Sequence, residues 1–244
     1  MMASNDATPP RRGGQGGRRW PSILGLSLVA GFIVTLHLII TFIRDVINYR
    51  FVGVDNVYTV FGLWSETSLA NWYSSTLALI CAALLAIIAL IKRRQSDRYA
   101  WHWAGLAFLL FAVAVDDAAD AHGQLSFILH HRYQTDGVFL YAWAIPALMF
   151  VALMGLVYAR FLWNLAPEYR WRIALAGALF CASAVGLELL EGRHDSLHGV
   201  ENLTYKAMVT VEETVEMAAL IFFIATLLTM LRTLAPTIRV RLEQ

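Results

Sequence analysis

Three stretches of this sequence hold carboxylates at spacings that suit cation chemistry. The first reads Asp116-Asp117-Ala118-Ala119-Asp120-Ala121-His122, the second pairs Glu188 with Glu191, and the third reads Glu212-Glu213-Thr214-Val215-Glu216. At about 100° per residue on a helix, Asp116, Asp117 and Asp120 fall within a single arc, as do Glu212, Glu213 and Glu216. Glu188 and Glu191 share a face as well. His122 falls outside the arc of its own helix and joins the carboxylates only if that helix has ended or unwound before it. Carboxylates with histidine and no thiolate suit a divalent metal such as Zn, Mn or Fe, or Ca, better than Cu(I).

So many carboxylates side by side cannot all be ionised without raising some of their pKa values. Few bases stand near in sequence: Arg193 and Lys206, with Arg44 or Arg132. A bound metal or shared protons would resolve the imbalance. A plainer reading treats the acids as solvated helix ends, where Glu212 and Glu213 gain from the helix dipole. It accounts well for Glu212 and Glu191, and poorly for the deeper Asp116 and Glu216.

Long apolar runs must carry these residues. Of the 244 residues, 58% are hydrophobic and 15% charged, against about 25% charged in soluble domains. A membrane-crossing helix needs about 20 mostly apolar residues. Six segments qualify: 22–43, 72–91, 101–121, 139–163, 173–190 and 209–231. The sequence thus predicts an all-α, polytopic membrane bundle of six transmembrane helices over residues 21–233. It is flanked by a disordered basic tail, 1–20, and a short tail, 234–244. The first run is too long for a secretory signal and has no cleavage site after it, so it reads as a retained helix. Pro146 predicts a kink in the fourth span. Cys81 and Cys181 lie in apolar runs and read as buried packing residues.

Orientation is set by Lys and Arg in the short loops. An even number of spans puts Arg11, Arg12, Arg18, Arg19, Lys92, Arg93, Arg94, Arg98, Arg160, Arg170, Arg172, Arg232, Arg239 and Arg241 on one side. Arg44, Arg50, Arg132, Arg193 and Lys206 remain opposite. Both termini are therefore expected in the cytoplasm. Measured from Trp101, Arg172 and Arg232, the residues Asp116, Glu188 and Glu216 lie roughly 22–24 Å across the membrane, at about 1.5 Å per residue. Three helices are expected to bring carboxylates to one level near the outer face, where ionisable groups facing lipid cost several kcal/mol.

Other signals are weaker. Glu191 and His194, three apart, match half of a di-iron helical motif, with Gly192 between them. His194 and His198 would chelate zinc from a helix, yet 192–202 reads as a loop. His130 and His131 read as surface residues, and His37 as a packed, hydrogen-bonded histidine within the first span. The loop 45–70 is rich in aromatics and suits either an interfacial segment capping the cluster or an aromatic belt. In the first case Glu66 and Asn71 contribute to the site. No phosphate loop, serine-nucleophile motif or nucleic-acid signature is present.

Three stretches together resemble a family of bacterial multi-pass inner-membrane proteins without an assigned activity. They are Glu66-Thr-Ser-Leu-Ala-Asn-Trp-Tyr-Ser-Ser75, Asp116-Asp117 through His122, and Glu212-Glu213-Thr-Val-Glu216-Met217. In that family the middle motif reads Asp-Glu, four residues, then His-Glu. Here Asp117 replaces the Glu and Gly123 stands where the last Glu would be. The resemblance implies a bacterial inner membrane and singles out Asp116, Asp117, His122, Glu213 and Glu216. Three functions stay open: a metal-dependent protein acting on a lipid or hydrophobic substrate, a cation- or proton-coupled transporter, and a non-catalytic assembly or structural subunit. The lipid bilayer is the one partner the sequence names.

Overall fold

The computed structural model describes residues 21–49, 52–65 and 67–234. The two tails and Glu66 lie outside the described residues, as do Arg50 and the basic residues before Pro21 and after Leu234. Among the described residues the chain is helical, without a strand. The helices are α1 (Pro21–Thr41), α2 (Val54–Phe61), α3 (Leu69–Arg94), α4 (Ala100–Ala119), α5 (Ala121–Tyr133), α6 (Ala144–Trp163), α7 (Pro167–Cys181), α8 (Glu188–His198) and α9 (Leu203–Leu234). Two wide π turns lengthen the array, Phe42–Val46 after α1 and Ala182–Leu187 between α7 and α8. Six continuous helical segments are long and apolar enough to cross a membrane: Ser22–Val46, Leu69–Arg94, Ala100–Ala119, Ala144–Trp163, Pro167–His198 and Leu203–Leu234.

α3 and α9 are the central pair. They pack on each other, α3 also on α4, and α9 also on α7 and α1. Leu77, Cys81, Leu85 and Ile88 of α3 are fully buried, as are Ile224 and Leu227 of α9 to within a percent. The Cys81 thiol points at the Leu220 carbonyl, 3.7 Å away. Cys181 is only half-buried, which corrects its assignment to the core, and both cysteines are free. The outer helices show apolar side chains such as Leu28, Phe108, Met149 and Leu156 to the surroundings. In water such surface would drive aggregation; against hydrocarbon it carries no penalty.

Local chemistry sets several boundaries. Ser68 caps α3, its hydroxyl accepting the Asn71 N–H at 3.1 Å, a bond that stabilises a helix start by about 1 kcal/mol. Pro146 produces no mid-span kink. α6 begins at Ala144, so Pro146 occupies its first turn, where the missing N–H has no partner to lose. Segment 192–202 is not a loop throughout, because α8 runs to His198 before Gly199 ends it at φ +71°.

The turns show which helix ends lie together. An Arg98 guanidinium nitrogen donates to Asn164 Oδ1 at 2.9 Å, tying the α3–α4 turn to the α6–α7 turn. Tyr169 and Thr233 hydroxyls meet at 3.2 Å, tying the start of α7 to the end of α9. Lys92, Arg93, Arg94, Arg170 and Arg172 therefore belong to one end of the bundle, and the carboxylate motifs to the other.

Candidate functional site

At the acidic end, α4 stops at Ala119 because Asp120 adopts the left-handed conformation, φ 50° and ψ 44°. The next helix starts at Ala121. This break satisfies the condition on which His122 could join the acids. Asp116 accepts the His122 backbone N–H through Oδ1 at 2.8 Å, and its Oδ2 lies 3.1 Å from the ring Nδ1. Asp116 thereby closes the orphaned first turn of α5 much as a capping carboxylate does. Gly123 sits tight against this break, since a Cβ there would run into the Asp120 carboxylate. The position where the resembled family carries a carboxylate has no room for one with Asp120 in this rotamer.

Six carboxylates from three helices lie within electrostatic range of one another. Glu216 faces Glu213, Glu212, Asp117 and Glu188. Glu191 forms a side-chain hydrogen bond with Glu212 and lies close to Glu188 and Glu213. A carboxyl–carboxyl contact is attractive only when a proton or a cation lies between the oxygens. Glu191 is 3% exposed, and its Oε1 has no hydrogen-bond partner among the described residues. Unsatisfied buried oxygens of this kind are rare and costly.

The π turn Ala182–Leu187 sets this arrangement. A π turn inserts one residue, which rotates the rest of the helix by about 100° relative to a continuous α-helix. Glu188 and Glu191 come directly after it and both face inward. Trp143, immediately before α6, donates its indole N–H to Glu188 Oε1 at 2.6 Å, and its ring lies 5.1 Å from that of His122. Asn71 reaches the cluster from α3, its amide donating to the Asp117 carbonyl at 3.0 Å.

A cavity of about 510 Å³ opens beside the cluster. Glu188, Glu191 and Glu213 line it, and Asp120, His122 and Asp195 contribute further polar groups. Aromatic walls come from Trp64, Phe127, Tyr141 and Tyr205. Among the described residues no lysine or arginine lines it. Tyr141 donates to Asp195 Oδ2 at 3.0 Å, and the Tyr141 and Tyr205 hydroxyls meet at 2.8 Å. Burial, with these hydrogen bonds, holds the Tyr141 phenol protonated well above its ordinary pKa. It is therefore a neutral donor.

A family model described as "Domain of unknown function (DUF8692)" matches residues 20–231. The chain belongs to that family. No curated protein and no solved structure matches it. The DUF8692 match takes in the carboxylate motifs, the cavity walls and nearly the whole of all six apolar segments.

Among the other sequence-derived site residues, Asp120 accepts from the Gln124 amide at 3.1 Å and stands at the cavity rim. His194 and His198 stack in α8 with ring centroids 4.7 Å apart. His194 Nε2 bonds Asn202 Oδ1 at 2.9 Å, and His194 and His198 are not among the cavity residues. His37 is a packed, hydrogen-bonded core histidine, 3.1 Å from Thr210 Oγ1 and accepting the Leu63 N–H at 3.2 Å. That bond anchors the loop after α2, whose Leu63 and Trp64 close one side of the cavity. His130 is also a cavity residue, not purely a surface one, while His131 is exposed. Among the described residues, no three histidine, cysteine, aspartate or glutamate side chains converge as a formed metal cage.

Sequence reasoning passed over Tyr205, Asp195 and Tyr141. Tyr205 lies seven residues before Glu212, two helical turns away on the same face. Asp195 lies four after Glu191 and becomes its face-mate once α8 is recognised as helix. Tyr141 carries no comparable signal, since it sits in an irregular link and arrives by tertiary packing.

Proposed function

We propose that this is a multi-pass membrane protein that binds a cation at the carboxylate cluster, with a divalent metal ion (Zn, Mn or Fe) as the occupant of its inner part. The observation that carries this reading is Glu191. A buried carboxylate with one unpartnered oxygen touches a second carboxylate and faces two more, in a cavity without a lysine or arginine among the described residues. Small rotamer changes would turn Glu191, Glu212, Glu213 and Glu216 into an oxygen-rich ligand set of the kind hard divalent ions take. In this reading the basic end, and both termini, face the bacterial cytoplasm and the cavity faces outward across the inner membrane. The cavity would present the ion to a lipid or other hydrophobic substrate.

Elemental mass spectrometry on detergent-purified protein tests the metal. Wild type is compared with a folded variant carrying Glu191→Gln, Glu213→Gln and Glu216→Gln. Near-stoichiometric metal in wild type, lost in the variant, supports the reading. No metal in either sample after incubation with Zn, Mn and Fe ends it. Impermeant maleimide labelling of single cysteines at Ser96 and Asn202, in a background lacking Cys81 and Cys181, tests the orientation.

A transport reading uses the same acids to pass protons or cations. The buried plug of Leu77, Cys81, Leu85, Ile224 and Leu227 between the acidic and basic ends weighs against a route through one subunit. A purely structural role predicts that neutralising the cluster changes partner binding and leaves metal content alone.

A further inference from the structure

We infer that the outer part of the cavity binds a small organic ammonium, a cation with an apolar tail and no anionic group. The inference rests on the cation-binding reading and adds the class of molecule admitted beside the carboxylate core. Volume is the first argument. About 510 Å³ falls in the range of small-molecule pockets, whereas an ion with six waters needs on the order of 200 Å³ at about 30 Å³ per water. The walls are the second. Trp64, Phe127, Tyr141 and Tyr205 line the space together with carboxylates, and aromatic faces beside carboxylates are the surroundings that stabilise an alkylammonium, by cation–π attraction and ion pairing. Trp64 and Phe127 remain 48% and 62% exposed, so they are available to an incoming ligand.

Charge selects further. Among the described residues no lysine or arginine lines the cavity, and the imidazoles of His122 and His130 are its basic groups, so a phosphate or carboxylate on the ligand would meet mainly acids. That argues against zwitterionic phospholipid headgroups, nucleotides and amino acids. Glu191 also borders the cavity, but its Oε1 is closed off from the open space and is kept for the inner ion. On the outer wall Asp195, already held by the Tyr141 hydroxyl, is the charge partner.

The test is titration calorimetry on the full chain in non-ionic detergent, with hexylamine, 1-hexanol, hexanoate and phosphoethanolamine. Hexylamine is expected to bind saturably, and the other three not at all over the same range. Asp195→Asn and Phe127→Ala are each expected to weaken hexylamine by about tenfold. Both positions are at least partly exposed, and circular dichroism checks that the variants fold. The inference is overturned if hexylamine shows no saturable heat, if 1-hexanol binds equally well, or if phosphoethanolamine competes as effectively as hexylamine. It is equally overturned if folded Asp195→Asn and Phe127→Ala both bind like wild type. Metal content of the same samples is read separately. Metal with no amine binding refutes this inference and leaves the metal reading standing; amine binding without metal does the reverse.

Discussion

Asp116 holds His122 by two contacts at once, backbone N–H to Oδ1 at 2.8 Å and ring Nδ1 to Oδ2 at 3.1 Å, across a helix break at Asp120. The carboxylate that looks from sequence like a member of the cluster is thus spent on shaping the chain, while its neighbour Asp117 faces the other acids.

Removing this clasp should loosen the acidic end. Asp116→Ala is expected to cost about 1–2 kcal/mol, and Asp116→Asn, which keeps an acceptor for the N–H, about half of that. Reversible unfolding in mixed micelles reads the order. Equal stability of Asp116→Ala and wild type would show that the clasp contributes nothing.

The strained residue between the two helices makes a separate prediction. Asp120 sits at φ 50°, a conformation that costs most side chains about 1–2 kcal/mol and glycine almost nothing. Asp120→Gly should therefore melt at or above the wild-type temperature, and Asp120→Val below it. A Val variant as stable as the Gly variant would mean that the helix does not break there.

Neutralising the buried carboxyl pair separates binding from folding. Glu191→Gln keeps a hydrogen-bonding group beside Glu212 and removes one carboxyl from the cluster. The expected result is a metal-free protein at least as stable as metal-free wild type, with no further gain when Mn or Zn is added. Wild type should gain about 2.7 kcal/mol at a hundredfold excess over Kd. Thermal melts with and without metal give both comparisons, and a Gln variant that metal stabilises as much as wild type contradicts the assignment of Glu191.

Acid should weaken the basic end through Asp97, in the turn between α3 and α4. Burial opposes its charge, but hydrogen bonds from Lys92 at 2.9 Å and the Tyr99 N–H at 2.8 Å prevail and hold its carboxyl below the ordinary value. A carboxyl with a lowered folded pKa gives stability that is full above its unfolded value, about 3.9, and is lost as pH falls through the folded value. Asp97→Asn should flatten that part of the acid limb of a melting-temperature profile between pH 6 and 2. An unchanged limb would remove Asp97 as a contributor.

Sequence alone determined the six long apolar helices. Twenty apolar residues in a row permit one solution in hydrocarbon, a helix that satisfies its own backbone, so the spanning segments could be counted without knowing what they pack against. The common level of the three motifs was an expectation built on the same reasoning. A fixed rise per residue sets Asp116, Glu188 and Glu216 at one level whichever way their helices turn. Rotation and tertiary partnership were not legible. The π turn at Ala182–Leu187 and the left-handed Asp120 each redirect the helix on their C-terminal side, through local backbone choices that apolar periodicity does not encode. Tertiary packing then decided that Asp116 serves His122, that Trp143 serves Glu188, and that Tyr141 faces Asp195 across 54 positions of chain. Hydrophobicity specifies how far a residue lies across a membrane; only the packed neighbours specify what it faces.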